Sequence, residues 1–176
     1  APTVTTTTVL ASATNPVDVG APTVLTATVT GSAPTGNVTF KNGTATLGTV
    51  ALSGTGNTRT ATYSATITTA GDKSLTAVYA GNTNNLTATY TALTPSVSKS
   101  TTTASVSSSL PSATQGQSVT FTASVTGYNP SGNVVFKAGA TTLATKALGG
   151  TGNTRTATYA NTTLGVGEHS ITVDYV

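Results

Sequence analysis

The sequence predicts an all-β chain that folds as two antiparallel β-sandwiches in tandem. Three observations support this prediction. The ten residues of Gly54–Tyr63 return letter for letter at residues 150–159, a shift of 150 − 54 = 96 residues. Apolar residues alternate with threonine and serine along several short segments, which is the period of a half-buried strand. Clusters of glycine, proline and asparagine separate these segments as turns and loops do.

The repeat divides the chain into two units. A fixed-period repeat marks a structural unit that is used more than once, and each copy here is long enough to bury its own core. The correspondence needs no insertion, and its matched pairs include Phe40 and Phe136, Leu47 and Leu143, and Tyr79 and Tyr175. We therefore predict a first domain at residues 1–96 and a second at 97–176, with a short joint around Thr94-Pro95-Ser96.

About seven strands and no convincing helix are predicted in the first unit. In chain order they lie at residues 3–10, 23–29, 37–41, 45–52, 60–67, 73–80 and 86–93. Alternation assigns the inward faces of these strands, to which Leu25, Val38, Phe40 and Tyr79 belong. In the last strand the inward positions are predicted to be Leu86, Ala88, Tyr90 and Ala92.

Predicted turns separate these strands. Asn42-Gly43 is a strong hairpin signal, because both residue types tolerate positive φ. Gly71-Asp72 is predicted as a turn before the sixth strand. Short strands at these turn-marked intervals are typical of an antiparallel sandwich.

Charged residues make up only 6% of the chain, against about 25% in average proteins. No apolar run approaches the ~20 residues of a spanning helix, so we expect no membrane insertion of this segment. The alternation also argues against disorder, and threonine then covers the solvated faces. Seven Lys and Arg residues cannot neutralise many phosphates, so we expect no nucleic-acid partner.

Two motifs in the chain resemble the signatures of bacterial Ig-like repeat domains. They are PTGNVTF at Pro34–Phe40 and GEHSITVDY at Gly167–Tyr175. Domains of this family are the tandem Ig-like modules of large secreted and surface-attached bacterial proteins. The resemblance covers nearly the whole chain, twice. It implies two tandem Ig-like antiparallel β-sandwiches that serve as a stalk, spacer or adhesive module and have no catalytic residues.

The second unit lacks a match to the end of the first. Val176 corresponds to Ala80, so nothing in the second unit matches residues 81–96 and their predicted strand. A sandwich without that strand exposes unpaired backbone groups and part of its core. Three explanations remain open. The chain is cut from a longer array, or the strand lies elsewhere in the protein, or another molecule donates it.

The residues of catalytic and metal sites are sparse in this chain, and we predict no enzyme, no cofactor and no metal. Its acids and single histidine are Asp18, Asp72, Glu168, Asp174 and His169. Only Glu168 and His169 are adjacent, and neighbours on a strand point to opposite faces. Calcium usually takes several carboxylates. Glycine-rich residues 149–152 precede a strand rather than a helix, so they are interpreted as a hairpin turn instead of a phosphate cradle.

Three residues are candidates for contact with a ligand. Arg59 and Arg155 are identical in the two copies, and arginine binds carboxylate or sulfate through paired hydrogen bonds. The alternative is an outward arginine whose stem covers the threonine-rich face. Tyr128 lies in a loop where the first unit has Ser32, and it suits contact with a sugar. The alternative for Tyr128 is local packing.

The predicted function is structural. We expect a stalk or spacer of a bacterial cell-surface or secreted adhesin, with an extracellular location. Its partners would be neighbouring Ig-like repeats or identical subunits, and a host or matrix glycan or protein. One alternative is the subunit of an extracellular filament that is completed by strand donation. A second is a carbohydrate- or protein-binding module.

Overall fold

Every regular element in residues 5–176, the part of the chain that this computed structural model describes, is a β-strand. The chain forms two compact units, and the boundary between them lies between Lys99 and Ser100. Each unit has its own apolar core enclosed by mainly antiparallel sheets. The predicted fold class of two antiparallel β-sandwiches in tandem is therefore confirmed.

Unit 1 has seven strands of five or more residues in its described part: β1 (Thr7–Ser12), β3 (Pro22–Thr30), β4 (Asn37–Asn42), β5 (Ala45–Ala51), β6 (Thr58–Thr66), β8 (Leu75–Tyr79) and β9 (Ala88–Leu93). Three short strands accompany them: β2 (Val17–Asp18), β7 (Gly71–Asp72) and β10 (Ser96–Ser98). The strand orders in the three sheets are β1-β3-β6, β5-β4-β8-β9 and β2-β10-β7. The β2–β10 pair is parallel, and the others are antiparallel.

The core of unit 1 is built from the inward positions of the alternating segments. Along β3, Leu25, Ala27 and Val29 are fully buried, while the threonines between them are partly exposed. Val38 and Phe40 on β4 are buried in the same way, as the alternation predicts. Alternation thus places one face of each strand in the core because successive side chains point to opposite faces.

Unit 2 repeats six of the longer strands: β11 (Thr103–Ser108), β12 (Val119–Thr126), β13 (Asn133–Ala138), β14 (Thr141–Ala147), β15 (Thr154–Asn161) and β16 (Ile171–Tyr175). Each lies within one residue of its unit 1 counterpart shifted by 96. The sheets have the orders β11-β12-β15 and β14-β13-β16. Residues 100–176 contain no counterpart of β2, β7, β9 or β10.

Several predicted strand boundaries are wrong. β1 ends at Ser12 rather than Leu10, since pairing continues as far as Leu25. The predicted strand residues 3 and 4 lie outside the described part of the chain. The two-residue hairpin turn is residues 43–44, and Gly43 there has a φ of 57°.

The end of unit 1 also differs from the prediction. Leu86 is exposed and precedes β9, and a register shift between Leu75 and Ala77 brings Leu93 rather than Ala92 against the core. The predicted turn at residues 71–72 forms β7, because β10 pairs with it. Residues 97–99, which were predicted to belong to the second domain, lie in unit 1.

One substitution between the copies changes how an aromatic pair packs. In unit 1 the Phe40 and Tyr63 rings are 5.7 Å apart and inclined by 22°. Gly48 lies against Tyr63, and a Cβ at this position would overlap the ring. Its counterpart in unit 2 is Ala144, and there the aromatic pair is inclined by 43°. The absent methyl group of Gly48 therefore gives Tyr63 room to stack and to donate a 2.7 Å hydrogen bond to a β5 carbonyl.

We expect Gly48→Ala to destabilise unit 1 by about 1 kcal/mol, since overpacking outweighs the reduced entropy of the unfolded chain. Urea unfolding of unit 1, followed by NMR signals of its core methyl groups, measures the change. Gly165→Ala in unit 2 is the control, measured on the unfolding of unit 2, because no atom lies within 4 Å of a Cβ at this position. Equal effects of the two substitutions would show that the Tyr63 contact is not the cause.

Candidate functional site

The repeated ten-residue segment has a structural role in each unit. In unit 1, the Asn57 side-chain oxygen accepts a 3.1 Å hydrogen bond from the Ala33 backbone N–H, and the Asn57 carbonyl accepts a 2.9 Å bond from Gly31. Asn153 makes the same two bonds in unit 2, to Asn129 and Gly127. The segment therefore fastens one turn to the loop beside it at the same end of each sandwich.

The two candidate arginines are half-buried beside these turns. Arg59 donates a 3.4 Å hydrogen bond from Nε to the Gly56 carbonyl. Arg155 donates from Nη2 to the side-chain oxygen of Asn129. Because these bonds stay within each unit, they support a local structural role for the guanidinium groups. Ligand contact by either arginine stays a prediction.

Tyr128 lies next to Asn129 in the loop between β12 and β13, and it is half-buried. Its backbone N–H donates a 3.3 Å hydrogen bond to the Ser100 hydroxyl. The structure thus brings Tyr128 and Arg155 to the same loop, through Asn129. Their role in sugar or protein binding stays a prediction, which glycan-array binding by the chain and by its Tyr128→Ala variant tests.

The acidic residues and the histidine are not assembled into a site in the described part of the chain. No group of three or more potential metal-ligating side chains occurs there. Glu168 and His169 are exposed, and His169 Nε2 lies 2.9 Å from the Gly165 carbonyl. Asp174 forms an ion pair with Lys137 at the surface. Within residues 5–176, no helix has the length and apolarity to cross a membrane.

The site that distinguishes the two units is an open edge and groove of unit 2. β16 pairs only with β13 among residues 100–176, whereas its counterpart β8 lies between β4 and β9. A groove of about 1060 Å³ lies beside it, lined by Val106, Leu110, Ala113, Gly167 and Ile171 among others. Residues 113–114 and 167–168 correspond to β2 and β7, which in unit 1 enclose β10. The groove therefore lies where unit 1 has β10.

The exposure of two matched tyrosines differs between unit 1, which has β9, and unit 2, which has no counterpart of β9 among residues 100–176. Tyr79 donates a 2.9 Å hydrogen bond to the Thr35 carbonyl, and Tyr175 donates a 2.6 Å bond to the matched Ser131 carbonyl. Tyr79 is fully buried, whereas Tyr175 is partly exposed. The same contrast holds for Leu75, which is fully buried, and its counterpart Ile171. Sequence reasoning located this site through the missing repeat segment, but it did not identify the groove.

Comparison with known protein families decides the classification. A model of the bacterial Ig-like domain, group 3, matches residues 10–98 and again residues 106–176. The chain belongs to this family. The two units are therefore Ig-like domains, as the motifs at Pro34–Phe40 and Gly167–Tyr175 imply. Bacterial Ig-like domains are generally non-catalytic modules, and they commonly occur in surface and extracellular proteins.

The chain is similar to the fibronectin(III)-like modules of Clostridium thermocellum CbhA, with 17% identity, 94% of this chain and 84% of that chain covered, and a TM-score of 0.38. A likeness this distant supports no argument about function. A search of curated proteins finds no significant match.

The covered tyrosine of the first Ig-like unit gives a pH-dependent prediction. Burial raises the pKa of the Tyr79 phenol above its ordinary value near 10. The unfolded chain then releases this proton at lower pH than the folded chain does. Titration of Tyr79 therefore leaves the free energy of unfolding unchanged below about pH 10, and that free energy falls as the pH rises from there through the folded-state pKa, by at most about 1.4 kcal/mol per pH unit.

We expect Tyr79→Phe to reduce this loss of stability at high pH. Urea unfolding of unit 1 at pH 9 and pH 11 measures it for both chains, and the pH 7 values give the direct cost of the lost hydrogen bond, about 1 kcal/mol. The same pH dependence in both chains would contradict the assignment to Tyr79.

Proposed function

We propose that the chain is a structural, non-catalytic spacer of a bacterial cell-surface or secreted adhesin-type protein, located outside the cell. The observation that supports this proposal is the path of the chain through unit 1. The chain enters the sandwich at one end, leaves at the other, and is paired to neighbouring strands at both. A module with this path extends a protein by its own length.

The two ends are identified by strand pairing. β1 begins opposite Thr30, at the C-terminal end of β3. β10 ends beside β2, where the Ser98 carbonyl accepts a 3.0 Å hydrogen bond from Val19. Val19 lies at the opposite end of the sandwich, near the start of β3. There the Gly20 N–H donates a hydrogen bond to the Ile67 carbonyl, next to the pair that Pro22 of β3 forms with Thr66. A nine-residue strand such as β3 separates the ends by roughly 30 Å.

This arrangement suits a segment that carries tension. A pull on the two ends of unit 1 acts along β1 and β10, both of which are paired with neighbours. Backbone hydrogen bonds between antiparallel strands lie perpendicular to the strands, so a pull along β1 loads its six pairs with β3 together. The side chain of Val97, 2% exposed, adds a core contact that must break before β10 leaves.

A second candidate function is the subunit of an extracellular filament, in which subunits complete one another by strand donation. The specific observation that favours it is the open edge of β16 beside the groove. Exposed edges of this kind readily take up an added strand. Negative-stain images and the solution mass of the purified chain separate the two functions, since a spacer gives discrete monomers and a filament subunit gives regular fibres.

Pulling single molecules from both ends tests the spacer function. We expect two separate unfolding steps, with length increases of roughly 300 Å and roughly 250 Å for the larger and smaller units. Val97→Ala should lower the unfolding force of the larger step alone, because it removes a core contact of β10 at a cost of about 2 kcal/mol.

Val9→Ala is the control for this experiment, since Val9 is 56% exposed on β1. It should leave both steps close to those of the unchanged chain. Unfolding of the larger unit at forces no higher than those of an unstructured chain would contradict the spacer function.

A further inference from the structure

β5 is an edge strand of unit 1, and in the described part of the chain it pairs with β4 alone. The Leu52 N–H donates a 2.8 Å hydrogen bond to the Gly36 carbonyl, on the side of β4. Because the backbone groups of successive strand residues point to alternate sides, those of Val50 also point towards β4. Thr49 and Ala51, both exposed, therefore present their N–H and C=O groups on the side away from β4.

The part of β5 that another strand can reach is short. At one end, next to a bulge in the β4–β5 pairing, the Leu47 carbonyl accepts a 2.7 Å hydrogen bond from the Tyr63 hydroxyl. Just beyond the other end, Ser53 pairs with Thr60 of β6. Residues 48–52 lie between these two contacts, and we call them the free edge of β5.

The matched edge of unit 2 differs from the free edge of β5 in one important residue. The sequence TVAL, which begins at Thr49, becomes TKAL in unit 2. Val50 lies opposite the buried Val38 on β4. Lys146 likewise lies opposite the buried Val134 on β13. Both side chains therefore lie on the core side of their sheets, where Val50 is half-buried and Lys146 is exposed.

A lysine on the core side of an edge strand opposes the addition of a further strand, because the charge would be enclosed by the extended sheet. Unit 2 has such a lysine at Lys146, and unit 1 has Val50 instead. The other longer edge strands of unit 1 are protected differently. β6 carries Arg59, while β1 and β9 lie against each other, with a 2.6 Å hydrogen bond from the Thr6 hydroxyl to the Leu86 carbonyl. Among the longer edges that the structure describes in unit 1, β5 alone has neither a charge nor a covering strand.

We propose that the free edge of β5 binds a second copy of the same chain, with the two β5 strands antiparallel about a two-fold axis at Val50. Thr49 of each copy then lies opposite Ala51 of the other, and the two residues exchange both backbone hydrogen bonds. The two Val50 side chains meet at the position without hydrogen bonds, where opposite side chains approach most closely. The four-stranded sheets of the two copies join into one.

The symmetry of the edge identifies a second copy as the occupant. An antiparallel pair of identical strands is self-complementary, since the same donors, acceptors and side chains meet from both sides. The paired residues carry no charge, and the two valines extend the apolar side of both sheets. Because Lys146 opposes the same pairing in unit 2, the assembly closes as a dimer. This side-by-side pairing goes beyond the spacer function and does not depend on it.

Sedimentation of the full chain at about 10 µM to 1 mM measures the pairing. We expect a monomer–dimer equilibrium with a Kd on the order of 100 µM, as suits a small transient interface. Val50→Lys should weaken the dimer roughly tenfold or more, because two lysines would face each other at its centre. Val9→Lys is the matched control. It adds the same charge to the edge strand β1 at an exposed position, and it should leave the dimer unchanged.

Lys146→Val is a complementary variant, which tests the proposal even if Val50→Lys unfolds unit 1. It changes TKAL to TVAL and so gives unit 2 a free edge of the same kind. We expect species larger than a dimer at the concentrations at which the unchanged chain dimerises. Lys99→Val is its control, because it removes the same charge from an exposed position outside the strands.

Amide hydrogen exchange locates the contact. The N–H groups of Thr49 and Ala51 gain a hydrogen bond only in the dimer, so their exchange should slow as the chain concentration rises. The Val50 N–H already points into the β4–β5 pairing, so its exchange should change less.

Four results would overturn the proposal. They are the absence of self-association up to about 1 mM; equally strong dimers of the Val50→Lys and unchanged chains; loss of the dimer in Val9→Lys; and concentration-dependent protection at β16 or another edge in place of Thr49 and Ala51. Lys146→Val species no larger than those of the unchanged chain would also contradict it. None of these results affects the spacer function, which is measured by pulling on single molecules.

Discussion

Both units depend on the burial of one face of each of two small sheets against the other. With few charges and no disulfides in the chain, this burial is the main source of stability that the sequence offers. Phe40 and Phe136, both fully buried, lie at matched central positions on β4 and β13. Every strand that adds to either sheet contributes apolar area to this core and also pairs an edge, so core burial and edge pairing are achieved by the same residues.

Much of this architecture could be predicted from the sequence, because alternation reports the face on which a side chain lies. Leu25, Ala27 and Val29 follow the alternation without exception. The parts that could not be predicted depend on pairing between distant residues. Gly71-Asp72 has no periodic pattern of its own and becomes a strand through β10. Similarly, the contact between Gly48 and Tyr63 joins strands of different sheets, and no local pattern reveals it.

The candidate site shows the same division. The missing repeat segment indicated an exposed edge in unit 2, since it is visible as an absence of matching letters. The groove of unit 2 could be found only in the structure, because its lining includes the residues that correspond to β2 and β7, the strands that pair with β10 in unit 1.

The three candidate ligand residues illustrate the opposite case. Tyr128 and the two arginines stand out in the sequence, yet the arginine side chains and the backbone N–H of Tyr128 are engaged in hydrogen bonds within their own units. The identity of the repeated segment has a structural explanation in Asn57 and Asn153, whose side chains fasten the turns.

The exact repeat has a consequence for how the chain reaches its native state. β6 and β15 begin with the same six residues, TRTATY, which pair with residues 25–30 of β3 in unit 1 and with residues 121–126 of β12 in unit 2. Backbone pairing alone cannot tell the two units apart during folding. Discrimination falls to the positions where the copies differ, such as Gly48 and Ala144. An exchange of strands between units, or between neighbouring molecules, is therefore the characteristic misfolding hazard of this chain.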